Sequence, residues 1–150
     1  MKKILFIEDN KTKAEAIKKY LLDNANSIEI VIKESFTSGL RELFTNNYDL
    51  LLVDMSLPTR EGMFSNTINN FEQLGGHKIM SEMKRKNKMI PTILITMFSE
   101  FGVGKNFMDI QELNTLLSSD FSNFYQGYVY YSSQEESWKN KLYNIIKEFI

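Results

Sequence analysis

Ile4-Leu5-Phe6-Ile7 runs straight into Glu8-Asp9, and Leu50-Leu51-Leu52-Val53 runs straight into Asp54. Apolar runs this short, with no alternation, read as strands of a parallel sheet buried on both faces. Ligands of open α/β sheets bind beyond the carboxyl ends of the strands. Two strands that each end in acid bring three carboxylates to that edge, an oxygen-rich setting suited to a hard cation such as Mg2+.

Outward from these runs the pattern alternates between strand and helix. Lys3 to Ile7 is strand one, and Asn10 to Leu22 is a helix with Ala14, Ile17 and Leu21 on one face and Lys11, Lys13, Lys18 and Lys19 expected outside. Ile28 to Ile32 is strand two, Ser35 to Thr45 a helix with Gly39 as an internal weak point, and Tyr48 to Asp54 strand three. Ile79 to Lys86 is helical with Ile79, Met80 and Met83 inward. Thr92 to Thr96 is strand four, Gly127 to Tyr131 strand five, and Glu135 to Ile150 a final amphipathic helix. Five strands alternating with helices predict a parallel sheet covered on both faces. Two long stretches interrupt the rhythm, 59–76 and 98–126, the second expected to hold a helix over Met108 to Leu117.

Composition narrows the function classes. With 150 residues the chain fits one domain with a sizeable core. A net charge of −1 gives no electrostatic case for nucleic-acid or membrane binding. The absence of cysteine excludes disulfides and thiolate metal sites, and the single histidine, His77, argues against a histidine metal site or catalytic triad. No apolar stretch approaches the roughly 20 residues that span a bilayer. The basic start Lys2-Lys3 is followed by too few apolar residues for a signal peptide, and a cytoplasmic location is expected.

Four segments together resemble the receiver domain of bacterial two-component response regulators: Lys3 to Asn10 (KILFIEDN), Tyr48 to Pro58 (YDLLLVDMSLP), Pro91 to Thr96 (PTILIT) and Gly127 to Tyr130 (GYVY). The resemblance implies a flavodoxin-like three-layer α/β/α fold, with a five-stranded parallel sheet in the order 2-1-3-4-5. It implies one receiver-like domain over 1–150 with insertions near 59–76 and 98–126. Asp54 would be the phosphoacceptor, and Glu8, Asp9, Asp54 and the backbone carbonyl of Ser56 would hold Mg2+. Thr96 would be the hydroxyl that contacts the phosphoryl group, Tyr128 the switch aromatic, and Pro58 the proline that turns the chain after the acceptor. A carboxylate attacking a phosphoryl dianion needs a cation to offset the repulsion. The implied partners are a sensor histidine kinase or phosphotransfer protein and a downstream effector. A homodimer fits the fold as well. Any enzymatic activity would be limited to self-phosphorylation and autodephosphorylation at Asp54.

The chain departs from the family where a lysine and a proline normally close strand five, since Tyr131 and Ser132 stand there. The lost lysine removes a charge-assisted phosphoryl contact. Lys105 is a cation within the second insertion, and Met97 occupies a normally small position after Thr96. These departures favour an alternative: a pseudo-receiver that signals by protein contact without phosphorylation. The complete acidic triad favours phosphoryl acceptance. An aspartate-nucleophile phosphatase would need a second aspartate two positions after the first, where Ser56 stands. Gly102 to Asn106 lacks the spacing of a phosphate loop and reads as a plain loop. His77 reads as a solvated helix-start residue, and the Lys84-Arg85-Lys86 and Lys88 cluster as the solvated end of a helix.

Overall fold

A computed structural model describes residues 1–59, 71–72, 74–101 and 108–150. Its centre is a parallel sheet built from β1 (Lys2–Ile7), β2 (Ile28–Lys33), β3 (Leu50–Val53), β6 (Thr92–Thr96) and β9 (Tyr125–Tyr130), in the order β2-β1-β3-β6-β9. Counting only these five, the order is 2-1-3-4-5, as the resemblance implies. Among the described residues five helices cover it: α1 (Lys11–Asn24), α2 (Phe36–Thr45), α3 (Gly75–Arg85), α4 (Ile110–Asp120) and α5 (Ser137–Ile146).

Side chains alternate across the sheet, so each central strand feeds two cores. Ile4, Phe6, Leu50, Leu52, Ile93, Ile95 and Val129 pack against Ala14, Ile17 and Leu21 of α1 and Trp138, Leu142 and Ile146 of α5. Leu5, Ile7, Leu51, Val53 and Leu94 pack on the other face against Leu43 of α2, Ile79, Met80 and Met83 of α3, and Leu113 and Leu117 of α4. The outcome is the three-layer α/β/α arrangement. Because all five central strands run parallel, the carboxyl ends of β1 and β3 are neighbours, with Ile7 in register with Val53.

The helix starts are set locally. Asn10 caps α1 by accepting the Lys13 N–H, Ser35 and Ser38 form a capping box at α2, and Asp109 caps α4. These caps move several boundaries from their expected places. Ser35 is a cap rather than a helical residue, and the helix expected over Met108–Leu117 starts at Ile110 and runs to Asp120. The residues just before it, β8 (Met108–Asp109), pair antiparallel with β7 (Glu100–Phe101). A second small antiparallel pair joins β4 (Leu57–Pro58) to β5 (Phe71–Glu72). Both pairs fall in or beside the stretches expected to be insertions. The fifth central strand begins at Tyr125 rather than Gly127, and the last helix is shorter than its amphipathic pattern. Lys105 and the Gly102 to Asn106 loop lie outside the described residues.

Candidate functional site

Glu8 and Asp9 leave the end of β1, and Asp54 leaves the end of β3. The sheet therefore brings the three predicted acids together: one carboxylate oxygen from each lies within 4.8 Å of the others. Glu8 and Asp54 are buried, while Asp9 is half-buried at the rim. Burial raises the Glu8 carboxyl above its ordinary range, and the Asp54 charge adds to the rise against the pull of Lys13. Asp9 is raised by burial first and by the charge of Asp54 second. Asp54 Oδ1 accepts the Met55 N–H at 2.7 Å, and Glu8 Oε2 accepts the Asn10 N–H at 3.1 Å. All the side-chain donors are carboxylate oxygens, the set that a hard divalent cation takes.

Sequence reasoning placed Lys13 outside on α1, and this is the main correction. Lys13 is 1% exposed. Its ammonium group donates to Asp54 Oδ2 at 3.1 Å and to the carbonyl of Ile95 at 2.8 Å, and it forms an ion pair with Glu8 Oε1. Three oxygens thus surround the ammonium: Asp54 Oδ2 and the Ile95 carbonyl accept its hydrogen bonds, and Glu8 Oε1 is its ion-pair partner. Lys13 stands four residues before Ile17 and eight before Leu21, so it continues the inward stripe of α1 at helical spacing. That stripe was the available signal. Residue type alone sends a lysine on it to solvent, because lysine is almost never fully buried unless it is paired.

The remaining predicted residues occupy several places in the fold. Thr96 is fully buried at the end of β6, where its hydroxyl oxygen accepts the Phe98 N–H at 3.1 Å. Tyr128 is half-buried and in register with Leu94, and Thr96 is in register with Tyr130. In-register neighbours share a face, so Thr96 and Tyr128 belong to the face covered by α2, α3 and α4. Ser56 is half-buried two residues beyond Asp54. Met97 is 38% exposed, with its sulfur 3.7 Å from the Asn10 side-chain nitrogen, so it lies at the rim. Tyr131 is buried at the end of the fifth strand with its ring 5.2 Å from that of Trp138. His77 stands in the first turn of α3 beside Asp120 at 3.4 Å and against Phe121, more enclosed than a solvated helix start. The basic cluster does close α3: Lys84 donates to the Asp120 carbonyl and Lys88 to the Asn46 carbonyl.

The Detocs response regulatory protein DtcB of Enterobacter cloacae is 30% identical to this chain over 150 residues, covering 97% of this chain and 99% of DtcB. The chain belongs to the response regulator receiver family. Solved structures show the same fold. Response regulator TrrA of Thermotoga maritima, in complex with Mg2+ and beryllofluoride, matches 97% of this receiver domain and 99% of its own chain at a TM-score of 0.60 and 24% identity. The phosphorylated cyanobacterial phytochrome response regulator RcpA matches 99% of the receiver and 93% of its own chain at a TM-score of 0.66 and 19% identity. No family model matches the chain. Membership of this family, shown by the likeness to DtcB, places the domain among the response regulators of two-component systems.

Proposed function

We propose that the domain accepts a phosphoryl group on Asp54 from a phosphohistidine of a sensor kinase or phosphotransfer protein. The observation that carries this reading is the convergence of Glu8, Asp9 and Asp54, with their oxygens within 4.8 Å at the edge where ligands of such sheets bind. In the transfer, an Asp54 carboxylate oxygen forms a bond to phosphorus as the donor's P–N bond breaks. The electron pair leaves with the imidazole nitrogen, which takes a proton from water.

Glu8, Asp9, Asp54 and the Ser56 carbonyl would hold Mg2+, whose charge offsets the repulsion between carboxylate and phosphoryl oxygens. Thr96 would redirect its hydroxyl from the Phe98 N–H to the phosphoryl group, and Tyr128, on the same face of the sheet, would report that change towards α4. We take 1–150 as one receiver unit with insertions near 59–76 and 98–126, working in the cytoplasm where its phosphodonor is made.

A second reading, a pseudo-receiver that signals by contact alone, draws support from Lys13, which already pairs with both Glu8 and Asp54. One experiment separates the two. The protein is incubated with Mg2+ and a small acyl phosphate, and its intact mass is followed. Phosphoryl acceptance predicts a gain of one phosphoryl group that Asp54→Ala abolishes. No gain in a folded wild type, with beryllofluoride also failing to bind, would sink the first reading and leave the second.

A further inference from the structure

Lys13 is the one cation among the described residues within ion-pair distance of Asp54. It reaches there from α1, whose first turn is fixed by the Asn10 cap directly after the two acids. A lysine is seldom buried this far, and its desolvation is offset only by partners of opposite charge and a third acceptor. Here all three are present: Glu8, Asp54 and the Ile95 carbonyl. Ile95 directly precedes Thr96, so the ammonium is anchored to the strand whose end carries the hydroxyl as well as to the acceptor carboxylate. At the end of the fifth strand Tyr131 is committed to Trp138 and brings no charge.

We propose that Lys13 is the phosphoryl-contacting cation of this receiver. A phosphoryl group on Asp54 places three anionic oxygens next to the carboxylate that Lys13 now touches. A tethered ammonium 3.1 Å from Asp54 Oδ2 reaches them through rotation of its own side chain while keeping the Ile95 carbonyl as an anchor. Glu8, released by the ammonium, becomes available to a divalent ion. The same residue therefore offsets carboxylate charge before phosphorylation and phosphoryl charge after it. This inference rests on the phosphoacceptor reading of Asp54.

The test compares wild type, Lys13→Met and Lys13→Arg. Mg2+ binding is measured alone by calorimetry, and beryllofluoride binding is measured by fluorine NMR with Mg2+ saturating. The expected result for Lys13→Met is Mg2+ affinity equal to or tighter than wild type, with beryllofluoride affinity weaker by about tenfold or more, the scale of one lost charge-assisted contact. Lys13→Arg is expected to recover part of that loss. Beryllofluoride affinity in Lys13→Met within about twofold of wild type would overturn the proposal, a difference too small for such a contact. So would a parallel loss of both ligands, since that would mark Lys13 as merely organising the carboxylates. A wild type that takes no beryllofluoride at saturating Mg2+ defeats the phosphoacceptor reading itself, and this inference with it. If Lys13→Met fails to fold, the wild type decides. Its buried lysine ammonium resonance should shift on beryllofluoride addition at saturating Mg2+, and a signal that stays in place overturns the proposal.

Discussion

A methyl group placed on Gly76 would lie 2.7 Å from the carbonyl oxygen of Asp54. The Gly76 N–H already donates to the neighbouring carbonyl of Met55 at 3.1 Å, so the first turn of α3 is bolted to the chain that carries the acceptor. Since the group in the way is backbone, relief requires moving either α3 or the Asp54–Met55 turn. Gly76→Ala should therefore destabilise the domain by about 1–3 kcal/mol, the usual cost of overpacking. It should also weaken Mg2+ binding by displacing Asp54. Chemical denaturation and a metal titration check this together. Unchanged stability and unchanged metal affinity would mean that the contact is slack.

The start of α2 offers a simpler prediction. Ser35 accepts the Ser38 N–H at 3.0 Å, and the Ser38 hydroxyl accepts the Ser35 N–H at 3.3 Å. Ser35 is buried, so water cannot readily replace the lost acceptor. Ser35→Ala should cost about 0.5–2 kcal/mol. The cap hydroxyls bond to each other and to their own backbone rather than to the acids, so beryllofluoride binding should be retained, which makes this variant a control for stability effects at the site.

The sheet was legible because its signal is coarse. Four consecutive apolar residues before Glu8 and before Asp54 admit few readings other than buried strands, and parallel strands bring those acids to one edge. The meeting of Glu8, Asp9 and Asp54 followed from strand order alone. Lys13 was not legible from residue type, because a charged residue on an inward stripe goes to solvent unless partners wait for it. Here the partners come from β1, β3 and β6, separated from it by up to 82 residues in sequence. The small pairs β4–β5 and β7–β8 were missed for a similar reason. Two-residue strands carry no periodicity, and their pairing depends on where the adjoining segments return. The displaced helix starts reflect caps: α2 starts one residue later than expected, after Ser35, and α4 two residues later, after Asp109.

Thr96 separates a structural role from a switching one. In the present state its hydroxyl oxygen accepts the Phe98 N–H, and the side chain is fully buried. Thr96→Val keeps the β-branched shape in the strand but removes that acceptor, at a cost of about 1–3 kcal/mol if the amide stays buried and unpaired. If the hydroxyl also turns to a phosphoryl group, beryllofluoride should still bind Asp54, but the accompanying change at Tyr128 should be reduced. Amide NMR shifts around Tyr128, with and without beryllofluoride, report this directly. Full-sized shifts in Thr96→Val would confine the hydroxyl to the Phe98 contact.

The acids also predict how pH acts on the site. The Glu8 and Asp9 carboxyls are both raised in the folded protein, by burial foremost, from ordinary values of 4.5 and 3.8. Above those ordinary values the folded domain holds protons that the unfolded chain has released. Where the native state binds more protons, stability falls as pH rises. The metal-free domain should thus lose stability from the ordinary carboxylate range upwards, until Glu8 and Asp9 are ionised in the folded state too. Mg2+ needs ionised ligands and so displaces those protons, which makes its affinity climb across the same window, by about tenfold per pH unit for each proton released. Added Mg2+ should therefore offset the stability loss on the alkaline side. Glu8→Gln removes one of the two titrations and should flatten the rise. Calorimetric titrations in buffers of different ionisation enthalpy count the protons released, and a Mg2+ affinity that stays level from weakly acidic to weakly basic pH would show that Glu8 and Asp9 do not ligate the ion.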